Sequence, residues 1–194
     1  MIASRQLMMV ALAGLMAMGS AWADPCKDLA PTRGQAGKDV IWIPTPEALV
    51  DKMLTAAKVT PQDRVFDLGA GDGIIAITAA RKFGAQSVGI EYNPKMADYA
   101  RCRAKEAGME GKVRIITGDI FVEDFSSANV VTLYLLPDLN LRLRPTLLKM
   151  KPGTRIVSHD FDMGEWKPED SRTVQNSQVF RWTVMANPPA SLLR

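Results

Sequence analysis

The residues best suited to chemistry lie in a glycine-rich turn between a strand and a helix. The stretch VFDLGAGDGI places glycines at every second position, Gly69, Gly71 and Gly73, and an acid, Asp67, two residues before the first. Glycines in such a turn let the backbone approach a bound ligand closely. In the dinucleotide pattern G-x-G-x-x-G the third glycine would fall on an isoleucine here, so the spacing argues against a pyrophosphate cofactor.

Two further acids follow the next two predicted strands. Glu91 ends the second strand, 22 residues after Gly69, and Asp119 follows the third in the sequence TGDI. Taken singly, each acid is also explained as a helix cap or a solvated loop carboxylate. Because the carboxyl ends of parallel strands meet at one edge of an open sheet, where such sheets bind ligands, Asp67, Glu91 and Asp119 together predict one binding site.

The glycine turn and its acids resemble the nucleotide loop of class I S-adenosylmethionine-dependent methyltransferases. The resemblance implies S-adenosyl-L-methionine as the cofactor, with the turn packed against its amino-acid part. Glu91 would then accept hydrogen bonds from both ribose hydroxyls, and Asp119 would meet the adenine amino group. The implied cofactor-binding residues are Thr45, Asp67, Gly69, Gly71, Gly73, Glu91, Asp119 and Ile120.

A closer resemblance covers residues 40–168. The motifs WIPTP, DLGAGDG, GIEYNP and RIVS are similar to those of protein-lysine methyltransferases of the ATP-synthase c-subunit and adenine-nucleotide-translocase type and their bacterial relatives. This resemblance implies transfer of a methyl group to a lysine side chain of a protein partner. The motifs specify the cofactor class more closely than the substrate. The mitochondrial members anchor themselves in a membrane, whereas an export signal is predicted here, so their substrates do not carry over.

The segment TLYLLPD ends the fourth predicted strand, beside the expected methyl group. Its candidate catalytic residues are Tyr134, Pro137 and Asp138, since Pro137 leaves the preceding carbonyls free to hold an amine. A packed aromatic and a helix-capping aspartate explain Tyr134 and Asp138 equally well. A lysine acceptor must lose its proton, which at pH 7 costs about 4.6 kcal/mol from a pKa near 10.4, and a desolvating pocket lowers that cost.

Other reactive or aromatic residues carry less weight. Trp42, Phe161 and Trp166 fit an acceptor channel, but core packing is the favoured interpretation. The sequence Ser-His-Asp at 158–160 does not predict a catalytic triad, because neighbours on a strand point to opposite faces. Its histidine, His159, fits a structural or surface role better than that of a proton acceptor.

The elements that would hold these residues alternate between strands and helices, which predicts βαβ units. Uniformly apolar strands indicate a sheet covered on both faces. These patterns predict an α/β fold with an open, mostly parallel sheet, helices on both faces and a C-terminal edge strand, and the resemblance implies that it is the Rossmann-like class I methyltransferase fold. The predicted strands are 64–68, 87–91, 113–117, 130–136, 155–158 and 178–185; the predicted helices are 46–58, capped by Thr45, then 74–83, 94–107 and a leucine-rich segment interrupted by Pro145.

The composition of the chain argues against two classes of function, nucleic-acid binding and metal chemistry. The 194 residues, 47% hydrophobic and 23% charged, fit one compact domain. A net charge of +3 is too mild for a typical nucleic-acid binder, so no nucleic-acid partner is expected. Two cysteines and one histidine predict no metal site. Because Cys26 falls on a polar tail and Cys102 on a predicted helix, a disulfide between them is the disfavoured state.

The first 23 residues have the features of a secretory signal peptide. One arginine precedes twelve mostly apolar residues, and the sequence AWA at 21–23 suits a signal peptidase. The apolar run is shorter than the roughly 20 residues that span a bilayer. We expect a signal peptide at 1–23, a flexible tail at 24–39 and an S-adenosylmethionine-binding methyltransferase domain at 40–194, exported to the periplasm with no stable membrane span after cleavage. A true start at Met16 or Met18 would leave the protein cytosolic.

Three functions remain open on these grounds. The first is a methyltransferase acting on a protein lysine, and the second is a methyltransferase acting on a small molecule. The third is an exported protein that binds S-adenosylmethionine or another adenosine compound without catalysis, because S-adenosylmethionine is made in the cytosol.

Overall fold

Seven strands form a single sheet in the computed structural model, which describes residues 25–193; the predicted signal peptide lies outside them. The strands are β1 Arg64–Leu68, β2 Gln86–Glu91, β3 Val113–Thr117, β4 Val130–Leu133, β5 Arg155–His159, β6 Asp170–Val174 and β7 Ser177–Thr183. The helices are α1 Glu47–Ala56, α2 Ile74–Phe83, α3 Pro94–Glu106 and α4 Pro137–Leu148, with short 3-10 helices at Lys27–Leu29 and Ala190–Leu193.

The strand order explains where a ligand can enter. The order across the sheet is β3-β2-β1-β4-β5-β7-β6, in which the first five strands run parallel and β7 is antiparallel to both of its neighbours. From β1 the chain moves outward to β2 and β3, then returns to place β4 and β5 on the other side of β1. This reversal leaves a crevice beyond the carboxyl ends of β1 and β4, the usual ligand site of open parallel sheets.

Helices cover both faces of the sheet, as the apolar strands predict. On one face α4 packs its leucines against side chains from the central strands, Phe66 and Leu133 among them. On the other face α1 and α2 pack against Val65, Val130 and Val157, and α3 packs beside α2 over β3. Because the central strands are buried on both sides, their register is strongly specified. The predicted Rossmann-like class I fold is confirmed.

Capping residues define both ends of α2 and the start of α3. Gly73, with a φ of +78°, is the N-cap of α2, and that helix ends at Gly84, with a φ of +74°. Helix α3 begins with Pro94 after Asn93, whose side-chain oxygen accepts hydrogen bonds from the backbone N–H groups of Lys95 and Met96. Both helices therefore start at defined points beside the glycine turn.

Most element ends agree with the sequence-based expectation within two residues, and Pro145 lies inside α4 without interrupting it; three further expectations differ from the structure. Thr45 does not cap α1, whose N-cap is Pro46 with no side-chain hydrogen bond. The strand predicted at 130–136 ends at Leu133, because the chain turns there toward α4, whose first residue is Pro137.

The third difference concerns the edge of the sheet. The strand predicted at 178–185 is β7, but β6 pairs with its outer side and takes the edge itself. Strand β6 reads DSRTV and is mostly exposed, so it has no apolar alternation for a sequence pattern to detect. Backbone pairing with β7, rather than burial, defines it.

Residue 24 of the predicted flexible tail at 24–39 lies outside the described residues, and the rest of this segment is attached to the domain. Cys26 forms a disulfide with Cys102 on α3, 76 residues further along the chain, and its side chain is 1% exposed. The expectation that these cysteines stay unpaired is therefore wrong. The reason is tertiary: the 3-10 helix at Lys27–Leu29 packs beside α3, which brings the two Cα atoms within 5.8 Å.

Among residues 25–193, no helix is both long and apolar enough to cross a membrane.

Candidate functional site

A cavity of about 610 Å³ lies at the carboxyl ends of the central strands. Its floor is the glycine turn after β1, and acids from the ends of β2 and β3 form one side. Residues that follow β4 and β5 form the opposite side, and residues 35–43 close over it. A volume of this size is typical of sites for small molecules and cofactors.

The glycine turn has no room for side chains. A Cβ atom added at Gly69 would lie 2.8 Å from Leu135 Cδ2, and one added at Gly71 would lie 2.8 Å from Trp42 Nε1. Gly69 and Gly71 line the cavity, whereas Gly73 does not; a Cβ there would lie 3.1 Å from Ala100 on α3. The first two glycines thus present bare backbone to the cavity, and the third allows α2 and α3 to pack closely.

Glu91 connects the glycine turn to the start of α3. Its Oε2 accepts a hydrogen bond of 2.9 Å from Gly71 N, and its Oε1 accepts one of 2.9 Å from Asn93 N. Each carboxylate oxygen has capacity for a further hydrogen bond, and the side chain lines the cavity. This arrangement fits the predicted contact with ribose hydroxyls, which remains a prediction.

Asp119 lies at the end of the β3 loop and is engaged by a residue that the sequence did not single out. Lys38 donates a hydrogen bond of 2.6 Å to its Oδ2, and Phe121 N donates one of 2.9 Å to its Oδ1. The hydrogen bond from Lys38 holds the pKa of Asp119 below its usual value. Ile120 and Thr45 also line the cavity.

Asp67 is the most strongly perturbed acid at the cavity. It is 2% exposed, and its Oδ1 accepts a hydrogen bond of 2.7 Å from Thr132 Oγ1 on the neighbouring strand. Burial raises its pKa from 3.8 to about 7, and the Thr132 hydrogen bond opposes that rise only in part. A buried carboxyl of this kind changes its charge readily when a cation binds nearby.

Asp72, which the sequence analysis did not name, also lines the cavity. It forms an ion pair with Arg103 of α3, and its Oδ1 accepts a hydrogen bond of 3.2 Å from Ile74 N. Burial raises the pKa of Asp72, while the Arg103 guanidinium acts against that rise. The pair joins the glycine turn to α3.

The β4 side of the cavity is apolar except for one phenol. Tyr134 lines the cavity, and burial raises its pKa. Leu135, Leu136 and Leu139 line the same side. The other two candidate catalytic residues, Pro137 and Asp138, are exposed at the start of α4 and do not line the cavity.

The aromatic candidates separate into two groups. Trp42 and Phe161 line the cavity, whereas Trp166 is 4% exposed and packs in the core, where its carbonyl accepts a hydrogen bond of 2.7 Å from Trp182 Nε1. Core packing is therefore the correct interpretation for Trp166 alone.

His159 is buried behind Tyr134, with 3.8 Å between the ring centroids. Its Nε2 lies 3.0 Å from Ser177 Oγ and 3.2 Å from Asp160 Oδ2, so both contacts use the same ring nitrogen. Ser158 instead accepts a hydrogen bond from Asn140. No relay through the imidazole is possible in this arrangement, and the triad stays excluded.

No sequence pattern points to the segment at 35–40, every residue of which lines the cavity. Its polar, glycine-containing sequence carries no periodic signal. Only the extended IWIPTP stretch that follows indicated an ordered chain here, and the disulfide that anchors it depends on tertiary proximity. No group of acids, histidines and cysteines suitable for a metal ion occurs within residues 25–193.

Comparison with known proteins shows the family to which this chain belongs. The model of the ANTKMT methyltransferase domain matches residues 67–170. A protein-lysine N-methyltransferase of Saccharolobus islandicus is 42% identical over 142 residues, which cover 72% of this chain and 88% of that protein. The Mus musculus lysine N-methyltransferase of the ATP-synthase c-subunit is 33% identical over 104 residues, covering 53% of this chain and 42% of the mouse protein.

A solved structure extends the similarity to three dimensions. An RNA methyltransferase from Salinibacter ruber, in complex with S-adenosyl-L-homocysteine, superposes with a TM-score of 0.76 at 49% identity. The match covers 77% of this chain and 99% of that one.

Proposed function

Because this chain belongs to the ANTKMT methyltransferase family, we propose that it is an S-adenosylmethionine-dependent methyltransferase that N-methylates a lysine side chain of a protein. The support for a lysine acceptor is the identity to protein-lysine methyltransferases, of which the Saccharolobus protein matches over most of its own length.

One observation carries the cofactor assignment. The Glu91 carboxylate is bonded to the backbone of the glycine turn and still faces the cavity with free acceptor capacity. The turn itself presents backbone without side chains at Gly69 and Gly71. A hydroxyl-rich nucleoside with a flexible amino-acid tail fits these surroundings, and the Salinibacter relative binds S-adenosyl-L-homocysteine.

The chain's own residues would align the reactants and exclude water. S-adenosyl-L-methionine supplies an electrophilic methyl group on a sulfonium, and alignment with a nucleophile provides most of the acceleration in such a displacement. Leu135, Leu136 and Phe161 surround the β4 side of the cavity with apolar surface. This surface lowers the cost of presenting the acceptor amine in its neutral form, which alone has the lone pair that attacks. The Tyr134 hydroxyl is the polar group available there to orient the amine.

A labelling experiment tests the acceptor class. The purified protein is incubated with tritium-labelled S-adenosylmethionine and a cell extract, and aliquots are treated with protease or with ribonuclease. Label that is released by protease and recovered as methyl-lysine after hydrolysis supports the proposal. Label in RNA, the substrate class of the Salinibacter relative, would overturn it, as would label confined to small molecules. Binding of the cofactor without any transfer would favour the non-catalytic alternative.

We also propose that the mature protein works in an oxidising compartment, in keeping with the predicted signal at 1–23. The support is the Cys26–Cys102 disulfide, since such bonds persist mainly in exported proteins. Mass spectrometry of the amino terminus tests this. A mature protein that begins at Asp24 agrees with export, whereas a start at Met16 or Met18 in a cytosolic fraction contradicts it.

A further inference from the structure

The covering segment, residues 35–43, contacts two parts of the predicted cofactor site, Asp119 after β3 and the glycine turn. Lys38 reaches Asp119 at 2.6 Å and lies 4.9 Å from the centroid of the Tyr92 ring. Trp42 lies against the glycine turn at Gly71. A change in the position of the covering segment would therefore alter both the β3 end and the floor of the predicted cofactor site.

The covering segment is folded as a small unit. Gly37 N donates a hydrogen bond of 2.8 Å to Val40 O, and Trp42 N donates one of 2.8 Å to Gln35 O. These bonds are internal to the segment, so they define its shape but do not fix it to the domain.

The contacts of the covering segment with the rest of the domain are a partly exposed ion pair of Lys38 with Asp119, the packing of Val40 against the core and the contact of Trp42 with the glycine turn. No residue between 27 and 44 is fully buried, whereas the flanking Cys26 and Thr45 are. The covalent attachments that limit its position lie on either side of it: on the C-terminal side the chain continues into α1, and on the N-terminal side Cys26, nine residues before the segment begins, is bonded to Cys102 of α3.

Helix α3 is itself part of the site's framework. Its first turn follows Asn93, whose backbone N–H donates to Glu91, and its Arg103 is paired with Asp72 of the glycine turn. Cys102 is adjacent to Arg103 in sequence. The disulfide thus ties the chain before the covering segment to α3. The same helix contacts Asp72 through Arg103, and the residue that caps it, Asn93, contacts Glu91.

We propose that the Cys26–Cys102 disulfide positions the covering segment for cofactor binding, so that the oxidised protein binds the adenosyl cofactor more tightly than the reduced protein. This inference rests on the proposed function for the identity of the cofactor. With the disulfide, the segment is tethered at both ends and is largely ordered before binding. Without it, the segment keeps its connection to α1 and its non-covalent contacts but loses its second covalent tether, so more of its ordering must come from the ligand, which lowers affinity.

The chemical step is a reversible two-electron reduction. A dithiol such as dithiothreitol attacks the cystine, its two sulfurs become a cyclic disulfide, and Cys26 and Cys102 each gain a proton and become thiols. In a reducing compartment the same change would lower occupancy of the site by cofactor.

The test is calorimetric titration of S-adenosylhomocysteine into the full chain, oxidised and after reduction with dithiothreitol. We expect reduction to weaken binding by about five- to hundredfold, the usual range of coupling between two sites. The double variant Cys26→Ser/Cys102→Ser should bind like the reduced protein and should not respond to dithiothreitol. Hydrogen exchange should rise in residues 27–44 while β1 and β4 keep their protection.

A second measurement separates positioning from general stabilisation. Because coupling is reciprocal, saturating S-adenosylhomocysteine should shift the midpoint potential of the cystine to more negative values, by about 30 mV for each tenfold difference in affinity. Equal affinity in both redox states, or a potential unchanged by the ligand, would overturn the inference. Unfolding of the whole domain on reduction would overturn it too. Absence of binding even in the oxidised protein would refute the proposed function itself.

Discussion

Glu91 is the residue whose side chain serves both structure and the proposed ligand. Its oxygens hold Gly71 and Asn93 by their backbone N–H groups, which orients the carboxylate toward the cavity. A carboxylate fixed in this way needs no rearrangement to accept hydroxyl hydrogen bonds.

Replacing Glu91 with alanine should weaken S-adenosylhomocysteine binding by about 1–3 kcal/mol, since charge-assisted hydrogen bonds are lost. Calorimetry measures the change. Glu110→Ala is the matched control, because Glu110 is exposed and lies away from the cavity. Affinity that is unchanged in Glu91→Ala would remove Glu91 from the binding site.

The raised pKa of Asp67 predicts that the free energy of unfolding depends on pH. An acid whose pKa is raised by folding binds its proton more tightly when folded, so its stabilising contribution is present below pH 3.8 and is lost as the pH rises toward 7. Asp67→Asn keeps an acceptor for Thr132 and cannot ionise. As the pH rises from 4 to 7, the difference in free energy of unfolding between Asp67→Asn and the wild type should therefore shift in favour of the variant, by on the order of 4 kcal/mol at most. Urea unfolding at several pH values measures this, and a constant difference between the two proteins would contradict it.

At the scale of elements, the glycine turn and the covering segment fit against each other. Gly71 has a φ of +54°, and an added Cβ would meet the Trp42 ring. Gly71→Ala should displace the covering segment and reduce cofactor affinity about tenfold or more, the equivalent of 1.4 kcal/mol. Gly153→Ala is the control: it also has a positive φ, +90°, but open space around it. Equal affinity in the two variants would show that the contact with Trp42 has no effect on the site.

Helix α4 is joined to the loop after β5 by one buried amide. Three acceptors lie within 3.1–3.3 Å of Asn140 Nδ2 and share its two N–H groups: Ser158 Oγ and the carbonyl oxygens of Phe161 and Asp162. This contact sets where Phe161 enters the cavity wall.

Asn140→Ala should lower the free energy of unfolding by about 1–3 kcal/mol, because buried acceptors lose their donor. Chemical denaturation measures the loss. Asn176→Ala, in the exposed turn between β6 and β7, should have almost no effect. A loss of similar size in both variants would mean that the buried amide has no special role.

For the whole molecule, the disulfide closes a loop of 76 residues that spans α1, β1, α2 and β2. The chain-entropy relation assigns such a loop about 4.5 kcal/mol of stabilisation, as an upper value. The double variant Cys26→Ser/Cys102→Ser should therefore lose about 2–4 kcal/mol of unfolding free energy, and unfold at a lower urea concentration, while keeping its fold. Urea titrations of wild type with and without reductant measure the same quantity. No difference between oxidised and reduced protein would contradict it.

Much of the fold followed from local patterns. Apolar runs separated by glycine turns and capped helices specify strands β1 to β5 and helices α1 to α3, since burial on both faces leaves little choice of register. The same rules bring the ends of β1, β2 and β3 together, so the meeting of Asp67, Glu91 and Asp119 at one cavity could be predicted. Strand β6 could not, because its polar residues are held by backbone pairing alone.

By itself, then, the sequence determined the architecture and the family resemblance, because periodicity and turn chemistry act over a few residues and recur wherever this fold occurs. The tertiary structure alone decided the Cys26–Cys102 bond, the Lys38 contact with Asp119 and the raised pKa of Asp67. Each of these depends on groups far apart in the chain and on the water they exclude. Distance and desolvation of that kind leave no periodic trace in a sequence.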